Sequence, residues 1–193
     1  MLTLKVRDDL CLDYANTLCW RGSENPAEEL HDLAGLLGWL ERTALVGADA
    51  HGRLEAVSRN LGERSSELFA QAIAMRETIF RIFSAFATGD EVGLQDFAAL
   101  EHALCEAPAR AALMRADGAY AWRIDAPLLT MPQLLAPVLW SAGDLLVNAA
   151  RRRIRRCANE KCLWMFVDES KSGTRRWCQM SACGNRAKAR RHY

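Results

Sequence analysis

The chain has 193 residues, half of them hydrophobic, and 25 Lys plus Arg against 24 Asp plus Glu, for a formal net charge of +1. This length suits one ordinary domain, or one of about 150 residues with a small appendage. No stretch reaches the 18 or more apolar residues of a membrane helix and no apolar run follows a basic start, so the expected compartment is the cytoplasm. The near-neutral total hides a division: residues 1–150 carry 12 basic against 21 acidic side chains, and residues 151–193 carry 13 against 3. The C-terminal part is therefore suited to a polyanion and the rest is not.

Taken in order, residues 8–20 place Leu10, Tyr14, Thr17 and Leu18 on one side, which reads as a helix or a strand-to-helix passage. Asn25-Pro26-Ala27-Glu28 predicts a helix start, with Asn25 as cap, Pro26 at the first helical position and Glu28 closing a capping box before Leu30, Leu33, Leu36, Leu37 and Leu40. Gly47 ends that region. A helix over 48–61 follows, then a long one over 64–87 whose Leu68, Phe69, Ala72, Ile73, Ile79, Phe80, Phe83 and Phe86 recur at helical spacing and read as core. Asp90 is the expected cap of a further helix to about Cys105. Beyond Pro108, Ala111 to Arg115 and Tyr120 to Ile124 flank Asp117-Gly118, as a hairpin requires. Pro127 and Pro132 frame a restart, and Leu135, Leu139, Ala142, Leu145, Leu146 and Ala149 make one more helix, continued by the basic run 151–156.

The fold class expected is mainly α with a minor β part: a helical domain over 1–150 with one small hairpin, and a cysteine-rich module over 151–193. Phosphate loops, dinucleotide fingerprints, nucleophile elbows and paired-histidine metalloprotease signatures are all absent, and the four histidines are scattered, so a non-enzymatic role is expected. Asp13, Asn16 and Thr17 are polar in an apolar stretch. With Trp122 or Trp140 they would line an effector pocket for a small molecule; the simpler reading is that they cap a helix and tie the hairpin to the bundle.

Of seven cysteines, Cys157 and Cys162 form one pair and Cys178 and Cys183 another of equal spacing. About 40 residues cannot bury enough apolar surface to offset chain entropy, so such a module needs a metal or disulfides. Four thiolates in two close pairs suit tetrahedral Zn²⁺; two disulfides are disfavoured in a reducing compartment, and mononuclear iron or an iron–sulfur cluster also accepts four thiolates. The segment between the pairs reads as a strand over 163–168, a turn at 170–173 and a strand over 175–177, giving a knuckle, a hairpin and a basic helix. Cys11, Cys19 and Cys105 read as small buried hydrophobes. The basic set of Arg175, Arg176, Asn185, Arg186, Lys188, Arg190 and Arg191 is the expected nucleic-acid surface. Ser181 would cap a helix from Ala182 onward, about 18 Å long, which fits a major groove.

Arg176-Trp177-Cys178-Gln179-Met180-Ser181-Ala182-Cys183-Gly184-Asn185-Arg186-Ala187-Lys188 resembles the signature of the CGNR-type zinc finger. Leu12-Asp13-Tyr14-Ala15-Asn16-Thr17 resembles the opening motif of the ABATE domain that precedes that finger in a family of bacterial proteins thought to be stress-induced transcription regulators. The resemblance spans essentially the whole chain and implies structural zinc on Cys157, Cys162, Cys178 and Cys183 and a finger that binds DNA. A single short helix reads few base pairs, so a homodimer is expected. The alternative is a protein or RNA interaction adaptor with a structural zinc module.

Overall fold

The computed structural model describes residues 2–4, 6–44, 50–116, 118–149 and 151–189. In chain order these form β1 (Leu2–Leu4), α1 (Leu10–Ala15), β2 (Leu18–Cys19), β3 (Ala27–Glu28), α2 (Leu33–Thr43), α3 (Ala50–Leu61), a 3₁₀ turn at Gly62–Arg64, and α4 (Ser65–Thr88). There follow α5 (Leu94–Glu106), β4 (Ala112–Ala116), β5 (Ala119–Ile124), α6 (Met131–Leu134), α7 (Ala136–Val147), β6 (Ile154–Arg156), β7 (Met165–Val167), a π-helical turn at Met180–Gly184, and α8 (Asn185–Ala189). The chain is mainly helical, as its periodicity predicts.

The short α1 sits at the centre because it is apolar nearly all round: Leu10, Cys11, Leu12, Tyr14 and Ala15 are all buried, packed against α4 and α7. A buried helix start needs internal partners for its polar groups. Ser141 of α7 meets that need, accepting the Cys11 amide at 3.0 Å and donating to the Asp8 carbonyl at 3.1 Å. At the other end the Tyr14 hydroxyl donates to the Ala72 carbonyl at 2.8 Å and its ring meets Trp39 at 5.2 Å. Helix α4 lies against α1, α2, α5 and α6 with Leu68, Ala72, Met75, Ile79, Ile82 and Phe83 buried. It stops at Gly89, whose φ of +79° lets its amide close on Ala85 as a left-handed cap does.

Several local expectations differ. The helix expected from Asn25 begins at Leu33, capped by Asp32, whose Oδ1 accepts the Gly35 amide at 2.7 Å. Ala27–Glu28 instead pairs with Leu18–Cys19, because Glu28 is drawn to a distant arginine described below. Asp90 caps nothing: α5 starts after Gly93 with no side-chain cap, and Asp90 accepts from Thr88 at 2.5 Å. The predicted hairpin forms, but β1 joins it, giving an antiparallel sheet in the order β1-β5-β4. Leu4 is thereby buried with Ile124, Ala136 and Trp140. The helix expected after Pro132 splits into α6 and α7, and its basic continuation is the strand β6 rather than helix. Cys105 is exposed and Cys19 half-buried, whereas Cys11 is buried, and Phe86, read as part of the α4 core stripe, is exposed because it lies near the end of the helix. Gly47 and Asp117 lie outside the described residues.

Candidate metal centre and nucleic-acid interface

The sulfurs of Cys157, Cys162, Cys178 and Cys183 all lie within 4.8 Å of one another, and all four residues are buried. Among the described residues no histidine or carboxylate joins them. A Zn–S bond of about 2.3 Å in a tetrahedron sets the sulfurs roughly 3.8 Å apart. Cys162–Cys178 and Cys178–Cys183 are each 3.7 Å apart, and the roughly 2.05 Å of a disulfide is far shorter. The set fits a closed four-thiolate site for structural Zn²⁺ with no position for a reacting ligand. Among the thiols themselves, hydrogen bonds from Cys162 and then Cys178 pull Cys157 down, while bonding to Cys157 pushes Cys178 up. Zinc is the charge that lets all four ionise.

Local structure holds each pair. After Cys162 the chain turns through Leu163 at φ +58°. Buried Asn159 donates to the Cys183 sulfur at 3.6 Å and accepts the Lys161 amide at 3.2 Å, so it stitches the two pairs together. Trp20, Trp164, Phe166 and Trp177 pack around the sulfurs. The hairpin is not the one expected between the pairs. Met165–Val167 pairs upstream with Ile154–Arg156, and residues 174–177 form no strand, because the Arg175 amide bonds to Asp168 at 3.0 Å instead of to a ladder. The Ser170 hydroxyl, then the Ser170 and Arg175 amides, hold that carboxyl below the usual aspartate range.

The finger is seated on the helical body through residues of the upstream motif. Ile154 and Met165 enter the main core. The Asn16 carboxamide donates to the Met165 carbonyl at 2.8 Å and accepts its amide at 3.0 Å, closing the free edge of β7 as a partner strand would. Thr17 donates to Tyr14 at 2.8 Å and accepts from Arg76 at 3.2 Å. Asp13 pairs with Arg7 at the surface. Gly22 is needed where it stands, since a Cβ there would lie 1.9 Å from the Glu160 carbonyl. Trp20, at φ +56°, receives the Arg186 guanidinium 4.4 Å above its ring. Sequence reasoning missed Trp20, Gly22 and Asn159. Asn16→Ala should cost about 2 kcal/mol or more in urea denaturation, because it strands a buried amide and carbonyl; a loss under about 0.5 kcal/mol would show that the edge finds other partners.

Asp13 and Asn16 line a cleft of about 520 Å³ at this seam, with Arg7, Asp8 and Arg152 among its other walls. Trp122 and Trp140 are not part of it. They stack instead with Arg110, at 4.7 Å and 5.7 Å, so the five residues expected to share a pocket are not brought together.

The basic set is divided. Arg175 is engaged: it covers Phe166 at 4.4 Å and donates to the carbonyls of Trp177, at 3.0 Å, and Cys178. Arg176 lies over Trp177 at 5.3 Å. The turn into α8 starts from Gln179 with no side-chain cap, so Ser181 does not play the expected part. Its carbonyl accepts a bond from the Asn185 side-chain carboxamide at 3.2 Å, which turns that side chain back onto its own finger. Lys188 is exposed. Arg190, Arg191 and His192 lie outside the described residues.

Comparison with known families places residues 8–149 in ABATE, described as "Putative stress-induced transcription regulator", and residues 153–193 in the CGNR zinc finger. No curated protein matches the chain. No helix among the described residues is long and apolar enough to cross a membrane.

Proposed function

We propose, for a chain that belongs to the ABATE family and ends in a CGNR zinc finger, that it is a non-enzymatic, DNA-binding transcription regulator whose zinc is purely structural. The observation that carries this is the pairing of its arginines. In the body, Arg7, Arg21, Arg76, Arg81, Arg110 and Arg123 each meet a carboxylate, while Arg42, Arg59, Arg64 and Arg115 do not among the described residues. In the finger segment only Arg152 does, among the described residues, bonding Asp8 and Glu169. A basic surface left without internal counter-ions is suited to a polyanion.

The body supplies a second copy, since one finger reads too few base pairs for useful specificity. Its leucine-rich α2 is mostly buried, so the surface favoured for self-association is where α4 meets α5, with Phe86, Leu94 and Phe97 exposed. The structural bonds of Asn16 and Thr17 favour oligomerisation over effector sensing as the body's role. The test is fluorescence anisotropy with duplexes of unrelated sequence. Lys188→Ala with Arg190→Ala should leave zinc content unchanged, weaken binding to every duplex alike and lower the salt slope by up to about two, and saturation should come at two chains per site. A zinc-loaded protein that ignores duplex DNA at low salt would move the adaptor reading ahead.

A further inference from the structure

The end of the finger remote in sequence from α8 carries its own unpaired charge. Strand alternation separates the two faces of the β6–β7 ribbon. Ile154 and Met165 turn into the core, and Arg156 on that side reaches Ser84 of α4 at 3.1 Å. Arg153 and Arg155 therefore point outward, about 7 Å apart along the strand. Both converge on one residue. Arg155 donates to the Gly173 carbonyl at 2.9 Å. The Arg153 guanidinium lies so close over Gly173 that a Cβ there would sit 1.6 Å from its Nη1. Gly173 has φ +61°, so it meets both the turn and the close approach.

Two guanidiniums drawn to one glycine repel each other, and only the nearby Asp168 carboxylate offsets part of that repulsion. Among the described residues no carboxylate forms an ion pair with either. Asp168 feels Arg155's charge, but its oxygens are taken by Ser170 and the Arg175 amide. Arg151 and Lys171, both exposed, stand two residues before Arg153 and Gly173 in the sequence. The one exposed large hydrophobic side chain in the finger, among the described residues, is Met180, so this end offers nothing to insert into a lipid surface. On α8, by contrast, Arg186 is stacked on Trp20 and the exposed Asn185 side chain is bonded to Ser181 of its own finger.

We infer that Arg151, Arg153, Arg155 and Lys171 form a phosphate-binding ridge that tracks the backbone of duplex DNA, a second contact beside the helix. The inference rests on the DNA-binding reading and assigns part of that binding to β6 and the 170–174 turn. Guanidiniums suit phosphate because they meet it bidentately, and phosphate contacts fix register without reading sequence.

The experiment uses the full zinc-loaded chain and a 20-base-pair duplex of random sequence, with anisotropy read from low salt upward. Arg153→Gln with Arg155→Gln is one variant. Arg151→Ala with Lys171→Ala is the second, and it removes side chains that make no bond among the described residues, so it decides the matter if the first pair disturbs the Gly173 turn. Each pair should weaken binding on the order of tenfold per lost contact at 0.1 M salt and lower the salt slope by about one per contact, with zinc content and melting unchanged for the second pair. If the wild-type chain binds, Lys188→Ala weakens it, and the Arg151/Lys171 pair leaves affinity and slope untouched, the ridge is overturned while the DNA reading stands. If the wild-type chain binds no duplex, the DNA reading itself has failed. A loss confined to single-stranded RNA would overturn the duplex assignment.

Discussion

Cys178→Ser is expected to release the zinc and to destabilise far more than the finger. Binding of structural zinc is worth about 10–16 kcal/mol in finger-sized peptides, and that free energy is what folds them. A serine hydroxyl cannot replace a thiolate in a closed tetrahedron, so the variant should hold well under one zinc per chain. From the sequence alone the finger is expected to unravel and leave the helical body intact. The seam changes that expectation. Ile154 and Met165 belong to the body's core, and Met165 closes on Asn16. Unravelling β6 and β7 would bare the side of α4 and α1 that they cover, so the body's thermal midpoint should fall as well. Metal analysis and thermal melting of the same sample read both effects. Full zinc content would exclude Cys178 as a necessary ligand, and zinc loss with an unmoved body transition would show the two parts to be independent.

The cysteine pairs and the α4 stripe were legible because each is a local pattern with one good solution: two equal cysteine spacings for a small metal module, and a helical repeat for a core helix. The failures share a cause, which is that the deciding partner is far away in sequence. Asn25 to Glu28 satisfies every local rule for a helix start, yet Glu28 serves Arg76, 48 residues on. The run 151–156 reads as a basic helical tail until Ile154 is seen as a strand residue seated on α4. Asn16 looks like a capping or pocket residue, and its partner is a strand edge 149 residues away. Their polarity in an apolar stretch and the upstream motif marked Asn16 and Thr17 as special; nothing local marked Trp20 or Gly22, whose roles exist only once the finger is docked.

Arg76 is the charge on which that docking site stands, and Arg76→Met should cost about 3–5 kcal/mol. Its side chain is 2% exposed, and it holds Glu28 through two bonds of 2.6 and 2.7 Å, Glu77 at 3.0 Å and Thr17 at 3.2 Å. Arg21 adds a second cation on Glu77, at 2.6 and 3.0 Å. Burial pushes the Glu28 and Glu77 carboxyls up, but the bonds from Arg76 to Glu28 and from Arg21 and Arg76 to Glu77 outweigh it and hold both below the usual range. A depressed carboxyl contributes stability above its unfolded pKa of about 4.3, and that contribution is lost as pH falls through the folded value. Removing Arg76 leaves Glu28 with burial uncompensated by its main cation, so its pKa rises and the variant regains stability on acidification. The gap between wild type and variant in urea denaturation should therefore be wide at pH 7 and narrow towards pH 4. Adding Glu28→Gln should recover part of the loss, since the penalty is mostly a half-buried charge left without its cation. Because Arg76 also holds Thr17, next to Asn16, the single variant should loosen the finger's seat and lower DNA affinity without changing zinc content. A loss under about 1 kcal/mol that does not vary with pH would show that water, rather than the arginine, compensates these carboxylates.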